Sequence, residues 1–414
     1  MRLNSIHRDL FDAAKVGTDV KVNSSNGKTI SRNDIVASGR LVACEYVGAA
    51  LNRRPNAVEK YATRLNGSMD YASAQRIHSD NKFLFCATQA YKMVGKEAPT
   101  LEEAKRDYSL ARNSTFLATM AAIDVDVITP IAFRVFDDVS AGGLMRWEPV
   151  AMGSTAEITV ASNDVFLFED SSWGSSRSTS KNYLYAKTIT LNPRPYSCNA
   201  TIKWYQDIVN GDAGRYYAAI MNGMWNKIYA KFVQALNNAA SNTTLIPAGL
   251  TAATYTTSNW LNITNKVAAA NGVRRDNLLA YGTAQALANL LPVDGTGGAI
   301  TGLQYGLGEQ WFMEGYLPKA GGVDVVEAQP VIVPGTQNST LAEISTGNNI
   351  YIVAKGGAGY APMYGAYAEG SPITLTATPS ETADFTIDIN ATALFDIQPV
   401  FASKVGVITS VYPT

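Results

Sequence analysis

The side chains best suited to chemistry in this 414-residue chain are few and scattered. Two histidines, His7 and His78, stand outside any pattern of convergent ligands, which a metal site needs; both read as surface or core residues. Three cysteines, Cys44, Cys86 and Cys198, lie far apart and form no CxxC pair, so they read as reduced core thiols of a protein made in a reducing compartment. Ser178 and Lys181 have the SxxK spacing in which a lysine amine takes the proton of an attacking hydroxyl. Their setting is a serine-rich stretch that produces such a match by chance, and no companion motif follows. Gly356, Gly357 and Gly359 follow a strand-like run as a phosphate cradle would, yet Pro362 and Tyr364 stand where the required helix should open. No GxSxG, HExxH, Walker A or GxGxxG motif occurs. The expectation is a protein that is no enzyme, with no catalytic residue, cofactor or metal.

Composition points the same way. Charged residues make up only 17% of the chain against a usual quarter, and Asn, Ser and Thr fill the polar quota. Such a surface is compatible with burial against neighbouring copies. The net charge of −1 gives no overall basic field for nucleic acid. It is unevenly spread: residues 1–113 hold 18 basic and 12 acidic residues, the remainder 16 and 23. That asymmetry fits an N-terminal part facing something anionic, and equally a solvated helical face. Met1–Lys15 is charged and has no apolar core, so it is not a signal peptide. No apolar run approaches the ~20 residues of a membrane span. Neither secretion nor membrane insertion is expected.

The first third reads as helical. Ser31 caps a helix with Ile35, Val42 and Tyr46 at helical spacing. Pro55 opens another, and a third covers Lys82–Val94. Thr100 and Glu103 form a capping box. From Ile123 to Phe136 the pattern reads as a strand broken by Pro130. Val165–Phe168 and Tyr183–Leu191 then read as the two strands of a long hairpin. Between them lies a serine-rich arm containing Trp173, Arg177 and Lys181. A loop of that length is commonly functional, and an exposed aromatic on it suits an anchor into a neighbouring subunit. The other reading folds Trp173 back onto its own strands.

Asp212 caps the longest helix, Ala213–Asn238. Its stripe is Tyr217, Met221, Met224, Ile228, Phe232 and Ala235, flanked by Trp225 and Tyr229, and it contains no acidic residue. The rest alternates strand and helix. A helix capped by Ser258 ends at Asn271-Gly272, Asn277–Gly282 is a buried strand, and Thr283 caps Ala284–Leu291. Strands follow at Val323–Glu327, Val331–Val333, Ile350–Ala354, Ile373–Ala377, Phe385–Ile389, Leu394–Val400 and Lys404–Tyr412.

This order of elements resembles the major capsid proteins of tailed bacteriophages, the Hong Kong 97-type fold. Asn192-Pro-Arg-Pro195, the Asp207–Asp212 lead into the helix, and the ending Phe401–Ile408 are similar to the family's usual run. The resemblance implies an α+β fold with an extended E-loop, a spine helix at about 213–238, a P-domain, an A-domain and an extra N-terminal helical region. It divides the chain into an N-terminal helical region or N-arm (1–113), the start of the P-domain (114–160), the E-loop (161–192), the P-domain with its spine (193–245), the A-domain (246–380) and returning P-domain strands (381–414). It implies self-assembly through pentamers and hexamers into an icosahedral virion capsid, formed in the host cytoplasm around double-stranded DNA held without sequence specificity. Portal, scaffolding and decoration proteins are the further partners it implies; a membrane is not among them. The arm residues Trp173, Arg177, Lys181 and Tyr183 are the expected contacts between subunits. An encapsulin-like shell and another phage structural protein are the alternatives.

Overall fold

The computed structural model describes residues 22–23, 29–50, 71–139, 144–161, 186–209, 213–288, 290, 316–328, 331–333, 335–336, 339–355, 361–370, 372–379, 386–400 and 404–409. In chain order the main elements are α1 (Arg32–Ala50), α2 (Tyr71–Met93), α3 (Leu101–Arg106), α4 (Ser114–Val139), β1 (Met145–Val150), β2 (Ala156–Ala161), β3 (Ala186–Leu191) and β4 (Arg194–Lys203). There follow α5 (Ala213–Ala240), β5 (Thr251–Ala252), α6 (Thr257–Ala270), β6 (Leu278–Gly282), α7 (Ala284–Ala288), β7 (Lys319–Ala320), β8 (Val323–Glu327) and β9 (Ile350–Ala354). β10 (Met363–Ala368), β11 (Ile373–Pro379), β12 (Thr386–Pro399) and β13 (Gly406–Ile408) complete the series. The fold is α+β, as expected. The chain divides into two compact units, each assembled from three separate stretches: residues 1–138, 194–225 and 368–395, and residues 139–193, 226–367 and 396–414.

The first unit joins helices to an antiparallel sheet. Ser31 caps α1 reciprocally with Asp34, whose carboxylate accepts the Ser31 N–H at 2.9 Å. The capping box at Thr100 and Glu103 is present on α3. The expected strand over Ile123–Phe136 is instead part of α4, a continuous helix with Pro130 inside it. Proline has no N–H to give the carbonyl four residues back, here that of Asp126. Arg40 of α1 supplies the missing donors, with Nε at 3.1 Å and Nη2 at 2.9 Å from that oxygen. The helix therefore survives a residue that breaks most others. Phe83, Phe116 and Trp204 pack as one aromatic cluster, Trp204 lying 5.6 and 5.4 Å from the two phenyl rings. In the sheet, β12 is the central strand, pairing antiparallel with β11 on one side and β4 on the other. Residues 386–399 form one strand where the sequence suggested two. Cys198, expected in the core, is exposed on β4, whereas Cys86 is buried as expected; the side chain of Cys44 lies outside the described residues.

The second unit is built on a six-stranded mixed sheet in the order β5–β13–β9–β6–β8–β7. Its central strands β6 and β9 are buried throughout and run antiparallel, with Tyr351 opposite Tyr281. Residues buried from both sides have no need of alternation, which is why these strands read as continuous apolar runs. The cap of α6 is Thr256, two residues before the expected Ser258. Its end is as expected: Gly272 takes φ +63°, and the Val273 N–H reaches the Ala268 carbonyl, a Schellman closure. Thr283 caps α7 through the Ala286 N–H at 3.1 Å. Elsewhere in this unit β2 and β3 form an antiparallel ladder; β3 is the end of the expected strand Tyr183–Leu191, while its expected partner Val165–Phe168 lies outside the described residues. Val150, Leu191, Tyr364, Ala366 and Val400 make a separate small core beside it.

The long helix α5 is continuous and ends at Ala240. Its stripe is as expected except at its end, where Leu236 and Ala239 are buried in place of the half-exposed Ala235. Its residues up to Trp225 belong to the first unit and those from Asn226 to the second. In the second unit it lies against the mixed sheet. Phe232 meets the Tyr281 ring edge-on at 6.0 Å, and Asn237 Oδ1 accepts the Tyr351 hydroxyl at 2.9 Å.

Gly365 of β10 is fixed by packing. A β-carbon there would sit 2.3 Å from the Trp147 ring. Gly365→Ala is expected to destabilise this unit by about 1–3 kcal/mol, read as a lower urea midpoint with an unchanged slope.

Candidate functional site

A buried cluster of ionisable side chains lies inside the first unit, where α1, α2, α4 and the start of α5 meet. Asp124 interrupts an otherwise apolar face of α4, Lys82 stands one turn after buried His78 on α2, and folding brings the two charges together. The Lys82 ammonium lies 2.8 Å from Asp124 Oδ1 and donates to the Tyr217 hydroxyl at 3.1 Å. Tyr217 in turn donates to the same Asp124 oxygen at 2.5 Å. Asp124 and Tyr217 are buried, and burial followed by the neighbouring carboxylate pushes the Tyr217 hydroxyl well above its usual range. Tyr217 is therefore a fixed proton donor.

His78, one turn before Lys82, is fully buried. Its Nδ1 lies 3.0 Å from Ser38 Oγ, and that hydroxyl already donates to the Ile35 carbonyl at 2.9 Å. Nδ1 therefore holds the proton and Nε2 is the bare nitrogen, with no hydrogen-bond partner. Packing presses the ring against α1 so closely that a β-carbon on Gly39 would lie 2.6 Å from Cε1. Burial first, then the Lys82 charge, pull its pKa from 6.5 down to about 3. Burial likewise pushes the Cys86 thiol up to about 12. A second tie runs alongside: Arg32 forms an ion pair with the Asp126 carboxylate, while Arg40 takes its carbonyl.

Lysine, aspartate, tyrosine and histidine are the residue types of acid–base catalysis. Here the donors and acceptors of Lys82, Asp124 and Tyr217 are turned on one another in a buried setting. What the arrangement does chemically is pin helices together. His78 is a core histidine, one of the two readings its position allowed. Lys82, Asp124 and Tyr217 were not singled out by the sequence; the lone charge of Asp124 within an apolar stripe was the only available signal. Among the described residues no group of three or more His, Cys, Asp and Glu side chains is placed to hold a metal. None of their helices is long and apolar enough to cross a membrane. Trp173, Arg177, Lys181 and Tyr183 lie outside the described residues, as do His7, Ser178, Gly356, Gly357 and Gly359. Of the arm, only the β2–β3 base is described.

Two outcomes are expected. Lys82→Met strands a buried carboxylate and lowers stability by about 3–5 kcal/mol, while Lys82→Met combined with Asp124→Leu recovers most of the loss; hydrogen exchange of the Tyr71–Met93 amides reads this for the unit alone. The folded pKa of His78 lies below its ordinary value, so its contribution is complete above pH 6.5 and is lost as pH falls towards 3. Over that window this residue adds a slope of roughly 1.4 kcal/mol per pH unit, and His78→Gln should flatten it.

No protein-family model matches the chain, and no curated protein matches it in sequence. Solved structures do show similarity. One is of Mycobacterium phage Patience, 11% identical, with 69% of this chain and 86% of that one covered and a TM-score of 0.40. Another is the asymmetric unit of the bacteriophage PhiM1 mature capsid, 12% identical over 66% and 87%, with a TM-score of 0.38. A third is the head structure of Helicobacter pylori bacteriophage KHP40, 10% identical over 66% and 90%, with a TM-score of 0.44. These three are phage structures, a capsid and a head among them.

Proposed function

We propose that this chain is a structural subunit that self-assembles into the icosahedral capsid of a tailed phage, of the Hong Kong 97 type, around a double-stranded DNA genome. The observation that supports this best is the succession of elements. The β2–β3 hairpin base leads through the crossing strand β4 into the 28-residue helix α5. The mixed sheet follows, and β12 then returns to pair with β4 over ten residues. In this reading the E-loop, P-domain and A-domain keep the boundaries given above, and the helical N-terminal region is an N-arm or extra domain.

The physical mechanism is association of many copies through individually modest contacts that together reach the several thousand Å² of an obligate assembly. A low-charge surface favours it, since fewer ions must be desolvated on burial. The arm would reach a neighbouring subunit through Trp173, Arg177, Lys181 and Tyr183. Pentamers and hexamers of the chain, with portal, scaffolding and decoration proteins, complete the partner set; the packaged DNA is held without sequence specificity. Assembly in the host cytoplasm and residence in the virion capsid follow from that role. The polar cluster of the first unit has a structural task in it, and no catalysis is assigned.

The test is to express the full chain, alone and with its neighbouring phage proteins, and to follow it by sedimentation and electron microscopy. Closed shells of uniform diameter that take up DNA are expected. A chain that stays monomeric at all concentrations and in every combination overturns the proposal. Trp173→Ala should leave subunit folding intact and lower the temperature at which shells come apart.

A further inference from the structure

The mixed sheet of the second unit gathers its cations at one end. The register fixes which end that is: Leu278 of β6 lies opposite Ala354 of β9, Asp324 of β8 beside Leu279, and Val323 opposite Ala320 of β7. β13 runs antiparallel to β9 with Gly406 opposite Ile352, so Lys404, two residues earlier, comes to the same end. α6 finishes there too. The side-chain amide of its C-cap Asn271 donates to the Lys404 carbonyl and accepts the Lys404 N–H, both at 2.8 Å.

Six cations are thereby collected: Lys404, Lys355 just past β9, Arg274 and Arg275 just before β6, Lys319 of β7, and Lys266 one turn before the end of α6. Residues 226–367 and 396–414 hold eight basic and eight acidic residues in all. Among the described residues of these stretches only Asp276 and Asp324 join the six, which leaves a surplus of four positive charges. Asp324 is shared, with Lys319 at 3.3 Å and Lys355 in an ion pair with it. Lys266, Arg274 and Lys404 are exposed and form no ion pair among the described residues. The C-terminus of α6 attracts cations, but it carries only about half a unit of negative charge. The surplus is several times larger.

We infer that this end of the sheet is a contact surface for the phosphate backbone of duplex DNA, an inference that rests on the capsid reading above and names where the packaged genome touches the chain. From β13 to β7 are four strand spacings, about 19 Å. That is the axial length of roughly five to six base pairs, with phosphates on both strands. Exposed ammonium and guanidinium groups displace the counterions of those phosphates, and the release favours binding without reading sequence. An acidic peptide suits the surface less well. The row runs across strand ends, so no open strand edge lies along it for a peptide to join.

The test uses the dilute full chain and a random-sequence DNA duplex, with binding followed against salt concentration. The parent should bind. Lys266→Gln, Arg274→Gln and Lys404→Gln combined should weaken binding roughly tenfold or more and flatten the log–log salt slope by about 2–3. Lys92→Gln, Arg106→Gln and Arg112→Gln combined remove as much charge from exposed positions of the first unit and should leave binding unchanged. The inference is overturned by a parent that binds no duplex, by a parent that prefers polyglutamate of equal charge, or by equal behaviour of the two triple variants. With shells still forming, the capsid reading then stands. A chain that forms no shells overturns the capsid reading, and with it the genome as occupant. Where the first triple variant fails to fold, amine acetylation of the parent decides. Duplex should slow the labelling of Lys266, Lys319, Lys355 and Lys404 at least threefold and leave Lys92 as it was, and unchanged rates overturn the inference.

Discussion

Burying one carboxylate, Asp124, is the constraint on which the helical unit depends. An isolated ion in a protein interior costs several kcal/mol, so this position is tolerable only if Lys82 and Tyr217 arrive in register with it. Those partners come from two other helices. The unit has one arrangement that satisfies all three, and every slipped packing leaves a charge stranded. A hydrophobic residue at position 124 would pack in several ways with similar energy, whereas the ion pair selects among them. His78 sharpens the selection, because its bare nitrogen accepts no neighbour and Gly39 leaves no room for adjustment.

Pro130 follows the same logic on a smaller scale. It removes one donor from the middle of α4, and Arg40 restores it from another helix. Arg32, two turns earlier on α1, holds the side chain of the same aspartate. A residue that weakens its own helix thus makes that helix dependent on a neighbour. Local instability is converted into tertiary specificity.

This explains which parts of the fold the sequence made legible. The stripe of α5, the capping box at Thr100 and Glu103, the Asn271-Gly272 ending and the buried strand Leu278–Gly282 are written in adjacent residues. Each needs nothing further along the chain to be satisfied. α4 was misread because it is apolar on most sides and contains a proline; the group that rescues it lies 86 residues away. β1 and β10 escaped notice because Trp147 and Gly365 make sense only against each other. The Lys82–Asp124–Tyr217 cluster was hidden for a similar reason. Tyr217 looked like one more member of an apolar stripe, and only its hydroxyl, meeting a residue 93 positions earlier, gives it a second task.

The interleaving of the two units has a consequence for how the protein is made. Each unit is completed by a late stretch, residues 368–395 for one and 396–414 for the other. β12 must find β4 across nearly two hundred intervening residues, and closing so long a loop is slow. On the ribosome, therefore, neither unit can be finished before its late stretch has been made, and apolar faces of α5 and β4 wait for partners not yet synthesised. A chain released early carries two unfinished cores in place of one sound one. Synthesis of residues 368–414 becomes a condition for closing either core, and shorter fragments leave apolar surface open to proteases and chaperones.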